Sequence, residues 1–481
     1  MAVTAARAAA AASRVHMRRS LPPCAVAGAP ISTPDGGHGL FSRHLATRSS
    51  RSPHVRDLKT PVWSSAIGDS MGRINAMVDD AILELRQLRT AGGAVVGSPT
   101  APDRYPEEER ISDEWARGFD ALLAVHRSPG KHMLRPQLVL LGASHSSAEF
   151  GPSAVPALAA VERFAAGVEL QHLFMLVHDD IIDRATRRRG VMPVHVALRG
   201  NYQLRDAESG ETQTRYVGFK EASALAALLG DVVHARSMGL VFAGAQGAGS
   251  PTAVDVLLHH SYKACAAQFD DVVGWRGMEH IFARSEDPTN LMRQVLLDKG
   301  ARHTMCAPLM SGMRLSGAGP HVELAGRVWG EHAGIALQAM DDVADLIGNF
   351  VTTGKDTFQD FRDGRLSLLL FLLWQRAPAS VWADMSAFMS RGGDTVLMPH
   401  ERKFFFDIVD EFDLVTAALD FCKTEIDAAE EAAQALDPGR VLRFGLDKFT
   451  AGLRGHCRKL ELQAESAGED DDMAGSGAGM T

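Results

Sequence analysis

Apolar side chains recur three and four positions apart along most of the chain, a spacing that places them on one face of an α-helix. The pattern extends from about residue 111 to about residue 460 and is clear in the segments 119–125 and 223–229. Alternating runs of β-branched residues are scarce, and Gly and Pro fall mostly between the periodic segments. The pattern therefore predicts an all-α protein, a single large bundle of about ten or more helices around an apolar interior.

The periodic region has definable borders. We predict a helical domain over residues 111–461, preceded by a linker over residues 61–110 that contains a helix over residues 73–89. The polar stretch 201–215 predicts a surface loop. Residues 462–481, which contain a run of acidic residues followed by Gly, Ser and Ala, predict a disordered acidic tail.

The beginning of the chain differs in composition from the rest. Residues 1–60 are rich in Ala, Ser and Arg, and Asp35 is the only acidic residue before Asp57. Organelle transit peptides have this composition, and a leader that is merely disordered is the alternative. We predict a transit peptide over residues 1–60, with the mitochondrion favoured over the plastid and the cytoplasm.

Composition excludes several classes of protein. The 481 residues carry a net charge of −9, which argues against a nucleic-acid-binding surface. No run of about eighteen apolar residues occurs, so no membrane-spanning segment is predicted. The chain has five cysteines: Cys24, Cys265, Cys306, Cys422 and Cys457. Their spacing is not that of a zinc site or a disulfide framework.

The strongest chemical signal is an acidic cluster at the end of an apolar segment. Asp179 and Asp183 are four positions apart, so on a helix their carboxylates lie on one face, with Asp180 beside them. A buried carboxylate pair without a counter-ion is unfavourable. Mg²⁺ removes that penalty and is commonly held by one or two carboxylates together with phosphate oxygens of a substrate.

A second cluster with the same spacing follows another apolar segment, over residues 334–345. It contains Asp341, Asp342 and Asp345. A single cluster of this kind is explained equally well as the solvated end of a helix. Two copies at the ends of two apolar helices favour a shared site, and two facing carboxylate clusters predict a multi-metal site for a diphosphate.

Cationic residues accompany the acidic clusters. Arg188 and Arg189 follow the first cluster and precede Gly190, and guanidinium groups bind phosphate oxygens in a planar, two-pronged way. Lys131 and Arg135 lie at a predicted helix start and are candidate anchors for a second phosphate group. A solvated basic helix end is the alternative for each pair.

Other polar residues give weaker signals. His172 precedes Asp179 by two helical turns and therefore shares its face. Lys299 ends an apolar stretch, Gln338 lies three residues before the second cluster, and Lys355 follows that cluster. Ligand binding is one interpretation of these residues, and packing or hydrogen bonding between helices is the other.

Together these motifs resemble the trans-isoprenyl diphosphate synthase (polyprenyl synthetase) family. Asp179-Asp180-Ile181-Ile182-Asp183, followed after four residues by Arg188-Arg189-Gly190, resembles the first aspartate-rich motif, and residues 334–345 resemble the second. The similarity covers roughly residues 130–370. It implies an isoprenoid synthase bundle with a central apolar cavity. Shorter segments also resemble the family: residues 229–231, 299–309 and 354–365.

The resemblance also implies the roles of individual residues. The implied ligands of three Mg²⁺ ions are Asp179, Asp180, Asp183, Asp341, Asp342 and Asp345. The implied ligands of the allylic diphosphate are Arg188, Lys299, Gln338 and Lys355. The implied ligands of isopentenyl diphosphate are Lys131, Arg135, His172 and Arg189. The implied reaction condenses the two substrates and releases diphosphate, and the implied assembly is a homodimer.

The chain departs from the family pattern in several places. One extra residue separates Lys131 from Arg135, so either Lys131 or His132 fills the anchor position. Gly300 stands where the family has Thr, and Leu337 stands where it has Phe. These departures affect the isopentenyl side more than the allylic side.

The residues just before the first cluster bear on product length. Phe174 and Met175 lie five and four residues before Asp179, where bulky side chains floor the product cavity in the family. They imply a product of C15 to C20, with geranylgeranyl diphosphate favoured. Localisation in the mitochondrion would instead favour a longer product, of the kind that forms the side chains of quinones.

Two other functions remain open. A class I terpene cyclase shares the helical bundle and one aspartate motif, but this chain also has the arginine pair and a second aspartate cluster. A non-catalytic subunit of a heteromeric synthase tends to lose aspartates, and none is missing here.

Overall fold

The structure is a computed structural model that describes residues 60–87, 113–129, 131–144, 155–205, 212–347, 359–391, 398–436 and 441–476. The chain divides into two compact units, Met1–Trp63 and Ser64–Thr481, and the contacts below lie in the second. The elements are α1 (Thr60–Gln87), α2 (Asp113–His126), α3 (Leu134–Ala143), α4 (Val155–Ile182), α5 (Val194–Ala197), β1 (Gly200–Arg205), β2 (Thr212–Val217), α6 (Phe219–Gly247), α7 (Thr252–Arg284), α8 (Pro288–Leu296), a π-helical segment (Leu297–Cys306), α9 (Ala307–Leu315), α10 (Pro320–Ile347), α11 (Gln359–Asp363), α12 (Leu368–Arg376), α13 (Ala379–Met389), α14 (Pro399–Glu411), α15 (Leu414–Gln434) and α16 (Val441–Ser476).

The prediction of an all-α fold is confirmed, and helices α4 and α6 form its most extensive contact. Their close approach requires Gly167 in α4, where a β-carbon would lie 2.9 Å from the carbonyl oxygen of Ser237 in α6. Ser237 Oγ donates to the Gly167 carbonyl oxygen at 2.8 Å. Phe164 and Leu173 of α4 are completely buried. This contact fixes the helix whose C-terminal end carries the first acidic cluster.

A second group of helices surrounds α10. The π-helical segment packs against Gly334 of α10, where a β-carbon would lie 2.4 Å from the β-carbon of Ala301. Such π-helical turns are rare and frequently occur at functional sites. Trp329 Nε1 of α10 donates to Thr450 Oγ1 of α16 at 3.0 Å, which ties α10 to the last helix. The second acidic cluster therefore ends a helix that is held by several neighbours.

The predicted surface loop is wrong for residues 201–205 and 212–215, which belong to the antiparallel strands β1 and β2, in which Asn201 pairs with Tyr216. Residues 206–211 lie outside the described residues. The segment is polar in composition, but its side chains alternate between the two faces of the hairpin, and Tyr202 and Val217 are buried.

The structure also moves two helix boundaries. Helix α1 begins at Thr60, before the predicted start at Arg73. Helix α16 continues to Ser476, through most of the stretch 462–481 for which the sequence predicts a disordered tail. Ala, Glu, Gln and Leu, which follow Leu460, are strong helix formers and extend the helix. The domain borders themselves stay predictions.

Among the described residues, one helix is long and apolar enough to cross a membrane by length and composition alone, namely α6. A single helix of this kind is weak evidence for a membrane segment, since the core helix of a bundle has the same composition. The contact of α6 with α4 accounts for many of its apolar residues.

Candidate active site

A tight turn after α4 orients the two arginines of the first motif. Arg188 and Val191 exchange both backbone hydrogen bonds, with N···O distances of 2.8 and 3.0 Å. The two central residues, Arg189 and Gly190, have φ values of 51° and 80°. Positive φ at both central positions defines a type I′ turn, for which Gly at the second position is favoured. The turn sends the two guanidinium groups to different surroundings.

The first of these surroundings is the acidic group of the site. We use this name for Asp179, Asp180, Asp183, Asp271 and Asp342 with their cations Arg188, Lys299 and Arg365. Arg188 Nε donates to Asp180 Oδ1 at 2.7 Å, and Arg188 Nη2 donates to Asp179 Oδ2 at 3.1 Å. Burial alone lowers the pKa of Arg188, but Asp180 and Asp179 outweigh burial and raise it. Asp180 is buried, whereas 34% of the Asp179 side chain is exposed.

A chain of ion pairs connects the two acidic clusters. Arg365 Nη2 donates to Asp183 Oδ1 at 2.7 Å. Arg365 Nη1 lies 3.6 Å from Asp271 Oδ2, and Lys299 Nζ lies 2.9 Å from Asp271 Oδ1. The carboxylate of Asp271 on α7 therefore joins an arginine that binds the first cluster to a lysine of the π-helical segment.

Lys299 continues this chain to the second cluster. Burial lowers the pKa of Lys299, but Asp271, Asp360 and Asp342 outweigh burial and raise it. Burial raises the pKa of Asp342, and the charge of Lys299 opposes that effect. Asp342 Oδ2 also accepts from the backbone N–H of Leu368 at 2.8 Å. The two acidic clusters thus share one network of charges.

Gln338 lies between the second cluster and the π-helical segment. Its Nε2 donates to Asp342 Oδ1 at 3.1 Å. Gly300 gives room for the amide, since a β-carbon there would lie 2.0 Å from Gln338 Oε1. Gly300, at the position where the family has Thr, therefore leaves free the space that the Gln338 amide occupies in this chain.

The remaining members of the second cluster have other surroundings. Asp345 Oδ2 accepts from the backbone N–H of Asp360 at 3.2 Å. Asp341 is exposed and lies close enough to Arg135 for their charges to interact. Lys355, a predicted diphosphate ligand, lies outside the described residues.

The second of the two surroundings is the basic group of the site. We use this name for Lys131, Arg135, His172, Arg189, His303 and Glu169. Arg135 Nη2 lies 2.6 Å from His303 Nε2 and donates to Thr304 Oγ1 at 2.7 Å. The ring centroids of His303 and His172 are 6.4 Å apart. Burial, followed by the charge of Arg135, lowers the pKa of both histidines well below the ordinary value, so both are neutral at pH 7.

A buried carboxylate lies among these cations. Burial raises the pKa of Glu169, and the charges of Arg135, Arg189 and Lys131 oppose that effect. Glu169 Oε2 has no hydrogen-bond partner within the described residues. Burial lowers the pKa of Arg135 to about 10, and burial followed by the charge of Arg188 lowers the pKa of Arg189. The cations of the group outnumber its carboxylate, which suits an anionic ligand.

The chain accommodates the extra residue between Lys131 and Arg135 by a left-handed backbone conformation at Met133. Met133 has a φ of 44°, in the left-handed region, and α3 begins at the next residue. That conformation costs about 1–3 kcal/mol for a residue other than glycine. Lys131 is half-buried and lies close enough to Glu169 for their charges to interact, whereas His132 is exposed. Of the two alternatives, Lys131 is the one that joins the basic group.

Phe174 lies between two histidines on the wall formed by α4 and α6. Its ring centroid is 4.8 Å from that of His178 and 4.6 Å from that of His234. His178 in turn lies against Gly230, where a β-carbon would lie 2.7 Å from the imidazole. Met175 is half-buried. These contacts hold the Phe174 ring in one orientation.

The carboxylates of the acidic group fit Mg²⁺ in their donor chemistry. Asp183 continues the helical hydrogen bonding of α4, since its N–H donates to the Asp179 carbonyl oxygen at 2.8 Å, so the two side chains share a face. A carboxylate has about four acceptor positions, and the described contact of Asp179 uses one of them. No three His, Cys, Asp or Glu side chains in the described part of the chain are close enough to hold a metal by themselves. The residues therefore fit a cation that binds one or two carboxylates together with ligand oxygens, as Mg²⁺ does.

The sequence assigns no role to four residues that carry much of this geometry, namely Glu169, Asp271, His303 and Arg365. Glu169 and Asp271 give a weak signal, because each is a carboxylate on an otherwise apolar stretch of helix. His303 and Arg365 lie within the segments 299–309 and 354–365 that resemble the family. Their contacts could not be inferred, because their partners Arg135 and Asp183 are 168 and 182 residues away along the chain.

Comparison with known sequences finds matches among the polyprenyl synthetases. Residues 119–387 match the family model described as Polyprenyl synthetase. The chain is 26% identical over 350 residues to a geranylgeranyl diphosphate synthase of Sulfolobus acidocaldarius, which covers 71% of this chain and 92% of the relative. It is 28% identical over 261 residues to a geranylfarnesyl diphosphate synthase of Aeropyrum pernix, which covers 53% of this chain and 70% of the relative.

Solved structures share the fold. A geranylgeranyl pyrophosphate synthase from Corynebacterium glutamicum, complexed with isoprenyl diphosphate and magnesium, matches with a TM-score of 0.58 and 20% identity over 81% of this chain and 98% of that one. A polyprenyl synthase from Caulobacter crescentus, complexed with calcium and isoprenyl diphosphate, matches with a TM-score of 0.57 and 19% identity over 80% of this chain and 94% of that one.

Proposed function

Because this chain belongs to the polyprenyl synthetase family and is therefore a trans-prenyltransferase, we propose that it joins isopentenyl diphosphate to an allylic diphosphate and releases diphosphate. The observation that carries the proposal is the presence of an acidic group and a basic group in one helical bundle. The reaction needs two diphosphate sites, since one diphosphate leaves and the other stays on the product.

The acidic group provides the leaving side of this reaction. Negative charge grows on the allylic diphosphate as its C–O bond breaks, and fixed donors stabilise that charge. Arg188, Lys299 and Arg365 are such donors, and each lies beside a carboxylate that holds it in place. Asp179 and its neighbouring aspartates would hold Mg²⁺, which would supply further stabilisation of the leaving group.

The basic group holds the second substrate. Arg135, Lys131 and Arg189 bind the diphosphate of isopentenyl diphosphate, and the neutral His172 adds a hydrogen-bonding ring without adding charge. Holding both substrates turns the attack of the double bond on the allylic carbon into a reaction within one complex. A proton then leaves the new chain to the released diphosphate.

One assay tests this function against its two alternatives. The purified protein is incubated with Mg²⁺, farnesyl diphosphate and labelled isopentenyl diphosphate, and the products are separated. An elongated diphosphate supports the proposal. A cyclic hydrocarbon formed without isopentenyl diphosphate identifies a terpene cyclase instead, and no product under any condition identifies a non-catalytic subunit.

For product length, we propose C15 to C20, with geranylgeranyl diphosphate as the main product. The support is the bulk of Phe174, whose ring is held between His178 and His234. Phe174→Ala should lengthen the product by one or more isoprene units. Phe219→Ala, at an exposed phenylalanine of α6, is the matched control. An unchanged product from Phe174→Ala would remove this residue from the cavity floor.

For assembly, we propose a homodimer formed through α6 and α7. The support is a set of exposed apolar side chains on these two successive helices, which include Leu228, Phe242, Tyr262, Phe269 and Val272. Phe269 is 71% exposed, so Phe269→Glu should produce monomers in analytical ultracentrifugation. Leu462→Glu, at an exposed leucine of α16, should leave the assembly unchanged. A monomeric wild-type protein would overturn this proposal.

For localisation, we propose import into the mitochondrion. The support is the Arg-rich, acid-poor composition of residues 1–60. A fluorescent protein fused behind residues 1–60 should be found in mitochondria, and replacement of the arginines in this segment by glutamine should abolish import. Cytoplasmic or plastid fluorescence of the unmodified fusion would contradict the proposal.

A further inference from the structure

The N-terminal helix α1 contributes side chains to the surroundings of Lys131. Asn75 and Asp79 are four positions apart, so they lie on the same face of α1. Asn75 Oδ1 accepts a hydrogen bond from Lys131 Nζ. Asp79 Oδ1 lies 3.6 Å from His126 Nε2, and Lys131 Nζ lies 3.3 Å from the same nitrogen.

His126 completes this arrangement. It is completely buried, and burial followed by the charge of Lys131 lowers its pKa to about 4. The ring is therefore neutral at pH 7, and in the tautomer with its proton on Nδ1 the Nε2 atom accepts from the Lys131 ammonium. An ammonium group has three N–H donors. Within the described residues, Asn75 and His126 take two of them, which leaves the third for a phosphate oxygen.

Helix α1 is itself firmly placed. Ile74, Val78 and Ile82 are completely buried, and Arg73 Nη2 donates to Glu162 Oε1 of α4 at 2.6 Å. The helix lies ahead of residues 119–387, the part of the chain that matches the family model. Its face is thus a fixed support for a side chain that belongs to the matched domain.

We propose that Asn75 is a positioning residue for Lys131, so that α1 forms part of the isopentenyl diphosphate site. A lysine side chain is flexible, and ordering it before the ligand arrives reduces the entropy lost on binding. The proposal rests on the role given above to Lys131 as an anchor of isopentenyl diphosphate. It extends that site to a helix outside the recognised motifs.

The test compares steady-state kinetics of Lys131→Ala, Asn75→Ala and Asn75→Asp. Asn75→Ala should raise KM for isopentenyl diphosphate by about 2- to 10-fold, the loss expected for one ordinary hydrogen bond, with kcat and the KM for the allylic substrate unchanged. Asn75→Asp keeps an acceptor for Lys131 but adds negative charge beside the diphosphate site. It should therefore raise the same KM and make it more sensitive to salt.

Arg86→Ala is the matched control, because Arg86 docks the same helix on Asp120 of α2 and contacts no residue of the basic group. It should leave both KM values unchanged. Thermal unfolding of each variant separates a structural role from a positioning role. A variant in which α1 no longer docks should have a lower melting temperature and higher KM values for both substrates.

The outcomes distinguish two kinds of failure. If Lys131→Ala leaves KM for isopentenyl diphosphate unchanged, the anchor role of Lys131 is wrong and the inference falls with it. If Lys131→Ala raises that KM but both Asn75 variants leave it unchanged, the anchor stands and the inference is overturned. A rise in both KM values together with a lower melting temperature in Asn75→Ala also overturns it.

Discussion

The cations of the acidic group and those of the basic group respond to their surroundings in opposite directions. In the acidic group, carboxylates outweigh burial and raise the pKa values of Arg188 and Lys299. In the basic group, burial outweighs Glu169 and lowers the pKa values of Arg135 and Arg189. In the acidic group the carboxylates outnumber the cations, and in the basic group the cations outnumber the carboxylate, so that half keeps a positive charge that an anion from outside can compensate.

This difference suggests how each half takes up a diphosphate. A group with more carboxylates than cations repels an added anion, so under the proposed function the acidic group needs added cations together with its diphosphate. The basic group needs only the diphosphate. Removing Mg²⁺ should therefore affect the allylic side most, whereas the isopentenyl side should respond mainly to changes in its own cations.

The largest expected effect is loss of catalysis in the acidic group. Asp179→Ala should reduce kcat by about 1,000-fold or more, because metal stabilisation of a leaving group contributes several kcal/mol. The helical circular dichroism spectrum should be unchanged, since Asp179 is partly exposed. Asp384→Ala, at an exposed aspartate of α13, is the control. Activity within 10-fold of wild type in Asp179→Ala would mean that this carboxylate holds no metal.

The next effect concerns the stability of the same network. Asp271→Asn leaves the half-buried Lys299 and the buried Arg365 without their shared carboxylate, and should lower the free energy of unfolding by about 3–5 kcal/mol. Asp270→Asn, at the exposed neighbouring aspartate, should change it by less than about 0.5 kcal/mol. Urea unfolding measures both variants. Equal stability of the two would show that Asp271 does not balance the network.

A smaller effect should appear on the basic side at low pH. The pKa of His126 is about 4 in the folded protein, and burial is the main cause, whereas the unfolded value is about 6.5. Between these values the unfolded chain binds a proton that the folded chain excludes, so stability is complete above about pH 6.5 and falls as the pH decreases toward 4. The loss is about 3 kcal/mol. His126→Gln should remove this part of the pH dependence, and His280→Gln, at an exposed histidine, should retain it.

The smallest effect concerns the geometry of the basic group. Arg135→Lys keeps the charge but removes the forked donor that reaches His303 and Thr304. KM for isopentenyl diphosphate should rise by about 10- to 100-fold, while KM for the allylic substrate stays the same. Arg187→Lys, at an exposed arginine beside the same turn, should change neither. An equal rise in both KM values would mean that Arg135 serves the acidic group as well.

The fold was predictable where periodicity was long. Helical spacing over hundreds of residues predicted the bundle, because burying one face of each helix is the main driving force for folding. The hairpin over Gly200–Arg205 and Thr212–Val217 was not predicted, since two short strands with polar outer faces resemble a loop in composition.

The site was predictable where its residues are close in sequence. Spacing on one helix places Asp179 beside Asp183, and the short segment after them carries Arg188. The partners of Arg188 were therefore within reach of sequence reasoning, whereas those of Arg365 were not. A contact across 182 residues depends on how helices pack, which no local pattern records. The same limit hid Asn75, whose partner Lys131 lies in another helix–loop unit.

The two-residue turn at Arg189–Gly190 ties the acidic group and the basic group to the length of one short segment. Neighbouring α-carbons are about 3.8 Å apart, so Arg188 of the acidic group and Arg189 of the basic group start from almost the same point of the backbone. Lengthening the turn by a single residue would move Arg189 relative to the basic group while Arg188 keeps its place in the acidic group. The length of this segment therefore constrains the site as much as the identity of its residues does.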